Sequence, residues 1–329
     1  MNRNRPLPAS ATAVILLTAL ALAPERTPAQ AFPAKPIRFV VSYPAGGGVD
    51  LTGRLVAPSL GARLGQAVVV ENRPGAGGTL GTAAVAKAAP DGYTVLVGSN
   101  AAITMSPHLQ PAPYDALKDL IPLVKAANVP TVITVAGNAP YRTLRELLDA
   151  AKAQPGRLSY GTPGNGSGMH VELEMLKERL GLDIVHIPYK GAPPIITDTM
   201  AGQITVGAPG LPPTVGNIKA GKLKLLAVWS TTRAGIFPEV PTVREVAGHD
   251  LDGLPTWYGF MLPAGTPRDI VARLETEIVA VLKDPEVSRR FAESGADVVA
   301  QGSAGFAEAN RVESASFATL FKKLNIRAE

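Results

Sequence analysis

The chain of 329 residues contains no cysteine. It therefore has no disulfide, no thiol nucleophile and no thiolate metal ligand, so its stability must come from apolar cores. Aromatic residues make up only 5% of the chain, and Lys and Arg never occur in runs longer than two. The formal charge of +5 is thus weak and dispersed, which argues against a nucleic-acid partner. A hydrophobic fraction of 46% with 18% charged residues is typical of a globular protein.

Long apolar runs are missing after the first 31 residues. Arg3 and Arg5 precede an apolar stretch at 11–23, and Ala29-Gln30-Ala31 has the A-x-A pattern of a signal-peptidase site. We predict that residues 1–31 are a signal peptide cleaved after about Ala31, because the apolar stretch is too short to cross a bilayer. The mature chain is expected in the periplasm, without stable membrane insertion.

Enzyme signatures are also scarce. The sequence has no P-loop motif, and its histidines lack the spacing of metal ligands. They are His108, His170, His186 and His249. A Gly-rich segment at 75–81 follows a predicted strand, but its third glycine is one residue late for a dinucleotide-binding loop. We therefore predict no catalytic residue, no metal and no cofactor.

The most informative segment is a Gly-rich turn at Tyr43–Asp50. It follows a predicted buried strand at 37–41 and precedes a predicted helix at 51–64. Gly46, Gly47 and Gly48 allow the backbone to approach a ligand closely, and the helix N-terminus adds partial positive charge. The turn therefore suits a carboxylate or a phosphate, with a purely structural turn as the alternative.

A repeating strand–turn–helix pattern indicates an α/β fold. Strands at 37–41, 67–71 and 94–97 alternate with helices, which predicts the start of a parallel, doubly wound sheet. Ligands bind at the carboxyl ends of such strands, and Ser99 and Asn100 follow the third one. The pattern restarts after about residue 130 with a second Gly-rich turn at Gly161–Gly168, so we expect two lobes with a cleft between them.

Further elements are predicted from periodicity and capping signals. Residues 101–122 are expected to be irregular, Thr79 to cap a helix, and Trp257 and Tyr258 to be core residues of a crossing strand. Predicted strands lie at 129–135, 158–160, 183–187, 203–206, 224–228 and 257–262. Predicted helices begin at Thr143, Met169, Pro193, Thr266, Asp284 and Ser303.

An ordered series of motifs resembles the substrate-binding receptors of tripartite tricarboxylate transporters, known as the Bug receptor family. The motifs are Tyr43-Pro-Ala-Gly-Gly-Gly-Val-Asp50, Val70-Glu-Asn-Arg-Pro-Gly-Ala-Gly-Gly78, Ala89-Pro-Asp-Gly-Tyr93, Pro155-Gly-Arg-Leu-Ser-Tyr160, Gly164-Asn-Gly-Ser-Gly-Met-His170, Ile187-Pro-Tyr-Lys-Gly191 and Pro263-Ala-Gly-Thr-Pro267. The resemblance runs from about residue 33 to the C-terminus.

The resemblance implies an α/β, two-lobe periplasmic-binding-protein fold (Venus flytrap, type II-like) with the ligand cleft between the lobes. We expect lobe 1 to comprise residues 32–128 and 256–329, and lobe 2 residues 129–255. The implied partners are a small carboxylate ligand and two integral membrane transporter subunits, and we expect a monomer.

The predicted ligand-binding residues combine the two Gly-rich turns with small polar groups at strand ends. They are Tyr43, Ala45, Gly46, Gly47, Gly48, Asp50, Ser99, Asn100, Thr162, Asn165, Gly166, Ser167, His170 and Tyr189. The segment 205–209 departs from the family pattern, which predicts a roomier and less acidic pocket. Two alternatives stay open: an exported hydrolase that uses Ser167 and His170 in the same cleft, and a receptor that serves a signalling partner.

Overall fold

The computed structural model describes residues 32–248, 251, 253–254 and 256–324. The predicted signal peptide, residues 1–31, lies outside the described residues. The contacts divide the chain into a short unit, Met1–Ala34, and a main unit, Lys35–Glu329. All the secondary structure described below belongs to the main unit.

The main unit contains both strands and helices in alternation, as the sequence predicts. The strands are β1 (Ile37–Val41), β2 (Val68–Asn72), β3 (Thr94–Ser99), β4 (Leu120–Asn128), β5 (Thr131–Ala136), β6 (Ser159–Thr162), β7 (Val185–Pro188), β8 (Val206–Gly207), β9 (Leu223–Trp229), β10 (Trp257–Pro263) and β11 (Asp297–Gly302). The α-helices are α1 (Gly48–Leu64), α2 (Thr79–Ala86), α3 (Leu144–Ala153), α4 (Gly168–Leu180), α5 (Ala192–Met200), α6 (Val215–Lys219), α7 (Val243–Ala247), α8 (Arg268–Leu282), α9 (Pro285–Glu293) and α10 (Ser303–Leu324).

Two separate sheets organise these elements. The first sheet has the strand order β11-β4-β10-β3-β1-β2, and the second has the order β7-β6-β8-β5-β9. In the first sheet β1 pairs in parallel with β2 and β3, as predicted, but β10 inserts antiparallel between β3 and β4. In the second sheet β6 is parallel to β7 and β8, and β5 is antiparallel to β8 and β9.

The chain passes from the first sheet to the second between β4 and β5, and returns before β10. Each sheet and the helices around it form one lobe of an α/β fold, which confirms the predicted fold class. The exact lobe boundaries, 32–128 with 256–329 and 129–255, remain predictions.

Each lobe has its own apolar core. The alternating residues Ile37, Phe39 and Val41 of β1 are fully buried in lobe 1, and Phe39 contacts Phe260 at a ring distance of 5.2 Å. Lobe 2 buries the apolar face of α3, which Thr143 caps by accepting a hydrogen bond from the backbone N–H of Glu146. The predicted buried strand at 37–41 and the predicted helix after Thr143 therefore both contribute to an apolar core.

Some predicted elements differ from the structure. Residues 101–122 are not irregular throughout, because 101–105 form a π-helical turn and β4 begins at Leu120. The strand β11 was not predicted, because its alternation is weak and only partly buried. Gly78, not Thr79, is the N-cap of α2, because Thr79 already has helical backbone angles, with φ of −61° and ψ of −38°. In the described part of the chain, no helix is both long and apolar enough to span a membrane.

Candidate ligand-binding site between the lobes

A cavity of about 40 Å³ lies between the two lobes, at the carboxyl ends of β1 and β3. Its lining comes from both lobes and from the returning strand β10. The lining residues are Tyr43, Pro44, Gly47, Gly48, Val49, Ser99, Asn100, Ala101, Pro163, Ser167, Gly168, Met169, Ala192, Gly210, Thr256 and Tyr258. The volume is well below the roughly 300–1,000 Å³ of typical small-molecule sites. Gly191 of lobe 2 packs against Pro44 of lobe 1 beside it, and we call this arrangement, with the lobes in contact, closed.

The N-termini of three helices meet at this cavity. It is lined by Gly47–Val49 at the start of α1, by Ser167–Met169 at the start of α4, and by Ala192, the first residue of α5. The first N–H groups of a helix have no partner within the helix and carry partial positive charge. None of the lining residues carries a formal charge at neutral pH. The lining therefore offers an anion hydrogen-bond donors from the main chain and from neutral side chains only.

Asp50 fixes the first Gly-rich turn from outside the cavity. Its carboxylate is 1% exposed and accepts hydrogen bonds from the N–H of Gly46 at 2.9 Å, from Asn72 Nδ2 at 2.8 Å and from Arg54 Nε at 2.9 Å. Burial alone would raise the pKa of Asp50, but the bonds from Arg54, Gly46 and Asn72 outweigh it and lower that pKa. The ionised carboxylate thus holds the turn that leads into α1.

Tyr43 and Ser99 form a hydrogen-bond chain along one wall. Ser99 Oγ donates to Tyr43 Oη at 3.0 Å, and Tyr43 Oη donates to the carbonyl of Gly77 at 2.8 Å. Burial raises the pKa of Tyr43 to about 12, so its phenol stays protonated. The O–H group of Tyr43 therefore donates its hydrogen bond within the protein.

Ser167, in the second Gly-rich turn, has two roles. It lines the cavity, and its Oγ caps α4 by accepting a hydrogen bond from the N–H of His170 at 3.3 Å. His170 Nδ1 accepts a hydrogen bond from the N–H of Gly166 at 3.1 Å. The His170 ring stacks on His186 with 4.1 Å between ring centroids. The histidine pair thus supports the turn from behind.

His186 is held in the neutral state. Burial, and then the neighbouring charge of His170, lower the pKa of His186 to about 4. Its Nε2 lies 2.7 Å from Thr162 Oγ1, and its ring also stacks on Tyr160. Among the described residues, no group of three His, Cys, Asp or Glu side chains could hold a metal ion.

The structure brings six of the predicted ligand-binding residues to the cavity: Tyr43, Gly47, Gly48, Ser99, Asn100 and Ser167. It places the others behind the lining or at the surface: Ala45, Gly46, Asp50, Thr162, Asn165, Gly166, His170 and Tyr189. Ala45 and Gly46 are exposed, and Tyr189 donates to Asp198 Oδ2 at 2.7 Å. From the segment that departs from the family pattern, residues 205–209, none lines the cavity.

Sequence reasoning missed several lining residues, most importantly Tyr258, which it assigned to the core. A Cβ atom at Gly48 would lie 2.5 Å from Tyr258 Oη, and one at Gly210 would lie 2.9 Å from it. The aromatic side chain therefore needs glycine on both sides, from two distant parts of the sequence. Only the position of β10 between β3 and β4 brings them together, and a linear motif does not carry that information.

A sequence model of the tripartite tricarboxylate transporter receptor family, TctC, matches residues 52–326. The chain belongs to this family. BugT of Bordetella pertussis (strain Tohama I) is 36% identical over 301 residues, which cover 91% of this receptor and 91% of BugT. The resemblance inferred from the motifs is thereby confirmed, and the protein is a solute-binding receptor.

Solved structures of other receptors share the fold. The periplasmic binding protein BugD has a TM-score of 0.85 and 32% identity, covering 91% of this receptor and 100% of that chain. Rpa4515 of R. palustris, solved with adipate, has a TM-score of 0.86 and 29% identity, covering 90% and 99%. MatC of Rhodopseudomonas palustris, solved with bound malate, has a TM-score of 0.82 and 28% identity, covering 88% and 99%. These likenesses confirm the two-lobe fold.

The alternative of a hydrolase gains no support from the receptor's geometry. The bond between the two candidate residues joins Ser167 Oγ to the main chain of His170, not to its imidazole. The Nδ1 atom of His170 accepts from Gly166, so that nitrogen is not placed to take a proton from Ser167. Family and structural neighbours are binding proteins rather than enzymes.

Proposed function

We propose that this receptor captures a small carboxylate in the cavity between its lobes and delivers it to the membrane subunits of a tripartite tricarboxylate transporter. The observation that carries the proposal is the convergence of the N-termini of α1, α4 and α5 on one cavity without charged lining residues. Backbone N–H groups and hydroxyls in this arrangement favour an anion that accepts hydrogen bonds.

The composition of the lining narrows the ligand class. It contains no Asp or Glu, so the ammonium group of an amino acid would find no counter-charge and would lose its hydration. Adipate and malate, the molecules named with two of the structural neighbours, are carboxylates without an ammonium group. We infer that the receptor prefers such acids to amino acids.

Capture requires the lobes to move. A Cβ atom at Gly191, the N-cap of α5 in lobe 2, would lie 2.8 Å from Pro44 Cδ in lobe 1, so the start of α5 touches the first Gly-rich turn beside the cavity. A dicarboxylate enters when the lobes separate and is enclosed when they close again. Enclosure removes water and strengthens each hydrogen bond to the carboxylate.

We further propose that the receptor acts in the periplasm following cleavage after about Ala31, works as a monomer and catalyses no reaction. The ligand-binding role of Tyr43, Gly47, Gly48, Ser99, Asn100 and Ser167 is supported by their position at the cavity. Asp50, Gly166 and His170 support the site by fixing its turns.

The test is isothermal titration calorimetry of the purified protein against monocarboxylates, malate, adipate, a tricarboxylate and the amino acid aspartate. We expect binding of at least one carboxylate without an ammonium group and weaker or no binding of aspartate. Ser167→Asp keeps a capping oxygen for α4 but places a carboxylate in the cavity, so we expect it to abolish binding.

A matched control comes from α3. Thr143 is also an N-cap, but it is exposed and does not line the cavity. Thr143→Asp makes the same kind of exchange and should leave the dissociation constant unchanged. Equal binding by Ser167→Asp and the native protein, or binding of no carboxylate at all, would contradict the proposed function.

A further inference from the structure

Tyr258 occupies the place where the two lobes meet. It lies on β10 with its side chain buried, and the residue is 6% exposed. Its Oη would be 2.5 Å from a Cβ at Gly48, the first residue of α1 in lobe 1, and 2.9 Å from a Cβ at Gly210, which follows β8 in lobe 2. The hydroxyl therefore contacts both walls of the cavity at once.

Tyr258 differs from the other buried tyrosine of the cavity in how its hydroxyl is used. Tyr43 Oη donates to Gly77 and accepts from Ser99. The structure gives Tyr258 Oη no hydrogen bond with any of the residues it describes. Burial, followed by the nearby Tyr43, raises the pKa of Tyr258, so the group remains a neutral donor. A neutral donor that lines the cavity and has no protein acceptor is available to a bound ligand.

We propose that Tyr258 is a ligand-binding residue whose hydroxyl donates a hydrogen bond to the carboxylate held at the N-terminus of α1. The inference rests on the proposed function and assigns a side-chain donor to the same site. Because Oη lies against Gly48, a carboxylate that accepts from the first N–H groups of α1 comes close to it. Because Oη also lies against Gly210, the bond forms within the closed arrangement of the lobes.

The first experiment removes only the hydroxyl. Tyr258→Phe should weaken the binding of malate or adipate, whichever the native protein binds, by about tenfold to a hundredfold, the effect of one hydrogen bond to a charged group. The melting temperature of the ligand-free protein should stay the same or rise, because the lost hydroxyl has no protein acceptor. Calorimetry and thermal unfolding measure the two effects separately.

Tyr114→Phe provides the matched control. Tyr114 is also a buried tyrosine of lobe 1, but its Oη donates to the carbonyl of Ala102 at 2.6 Å and it does not line the cavity. This variant should lower the melting temperature and leave the dissociation constant unchanged. If Tyr258→Phe behaves like Tyr114→Phe, the role of Tyr258 is structural and the inference is wrong.

A second variant tests the position of the hydroxyl. Gly210→Ala would place a methyl group 2.9 Å from Tyr258 Oη. The next atom near that methyl group, Val129 Cγ1, would be 3.2 Å away. The change should weaken binding in the native background by displacing the hydroxyl. In the Tyr258→Phe background it should add less than a twofold loss, because the displaced atom is already gone. Losses that simply multiply would overturn the inference.

The outcomes separate this inference from the proposed function. If the native protein binds malate, adipate or another carboxylate and Tyr258→Phe binds it equally well, only the role of Tyr258 is refuted. If the native protein binds no carboxylate, both the proposed function and this inference are refuted.

Discussion

The buried carboxylate of Asp50 offers the sharpest test of how the first Gly-rich turn is held. In Asp50→Asn one oxygen remains as an acceptor, but the amide NH₂ faces groups that are themselves donors, from Gly46, Asn72 and Arg54. At least one charge-assisted hydrogen bond is lost, at about 1.5–3 kcal/mol. The ion pair adds no more than about 1 kcal/mol, because the Arg54 side chain is half exposed.

These contributions predict a loss of about 2–4 kcal/mol in the free energy of unfolding. With an unfolding entropy of about 0.6 kcal/mol/K for about 300 residues, the melting temperature should fall by about 3–6 °C. Ligand affinity should fall as well, because the turn carries Gly47 and Gly48 to the cavity.

Differential scanning calorimetry measures this change, and Glu308→Gln is the matched control. Glu308 forms an exposed ion pair with Arg311 at 2.6 Å, so its loss should cost very little. The native pKa of Asp50 is lowered, so its stabilisation is present above the ordinary carboxyl pKa and is lost as the pH falls through the native one. The difference between Asp50→Asn and the native protein should therefore shrink in acid. If Asp50→Asn is as stable as Glu308→Gln at neutral pH, the reasoning is refuted.

Two further predictions concern the buried Glu172 of α4 and the closure of the lobes. Burial raises the pKa of Glu172 to about 8, so the native state keeps a proton that the unfolded chain releases, and stability should fall as the pH rises from about 4.5 to about 8. Urea unfolding of Glu172→Gln at several pH values should lack this fall, and an unchanged slope would contradict the assignment. Gly191→Ala should hinder closure through its contact with Pro44 and weaken carboxylate binding, with small-angle scattering showing an open form in the presence of ligand. Gly248→Ala, at a similar positive φ but with nothing within 4 Å, should lose stability without losing affinity, and equal affinity losses would show that backbone strain alone is responsible.

The sequence predicted the parts of the fold that depend on local patterns. β1 coincides with the apolar run Ile37–Val41 as predicted, and α4 begins at Gly168, one residue before the predicted start at Met169. β11 and the insertion of β10 between β3 and β4 depend on pairing between segments far apart in the chain. The hydrophobic pattern of one segment does not show which distant segment it pairs with, so these features could not be derived from local periodicity.

The same distinction applies to the site. Glycines and small polar residues near helix starts pointed to the two turns, and Gly47, Gly48 and Ser167 line the cavity. His170 and Tyr189 lie behind the lining because their side chains bond to Gly166 and Asp198. A residue's place in a motif fixes its position along the chain, but the direction of its side chain depends on which partner it finds in the folded lobe.

The absence of charge from the lining links binding to closure. When the lobes close without a ligand, the helix N-termini of α1, α4 and α5 and the hydroxyl of Tyr258 are enclosed without an anion to accept their hydrogen bonds, which is unfavourable. A carboxylate supplies the acceptors and the charge that this arrangement lacks. Its interaction energy is therefore larger in the closed state than in the open one, and that difference is what shifts the population of lobe arrangements. A lysine or arginine in the lining would attract the same anion in either arrangement, so it would raise affinity without coupling binding to closure as strongly.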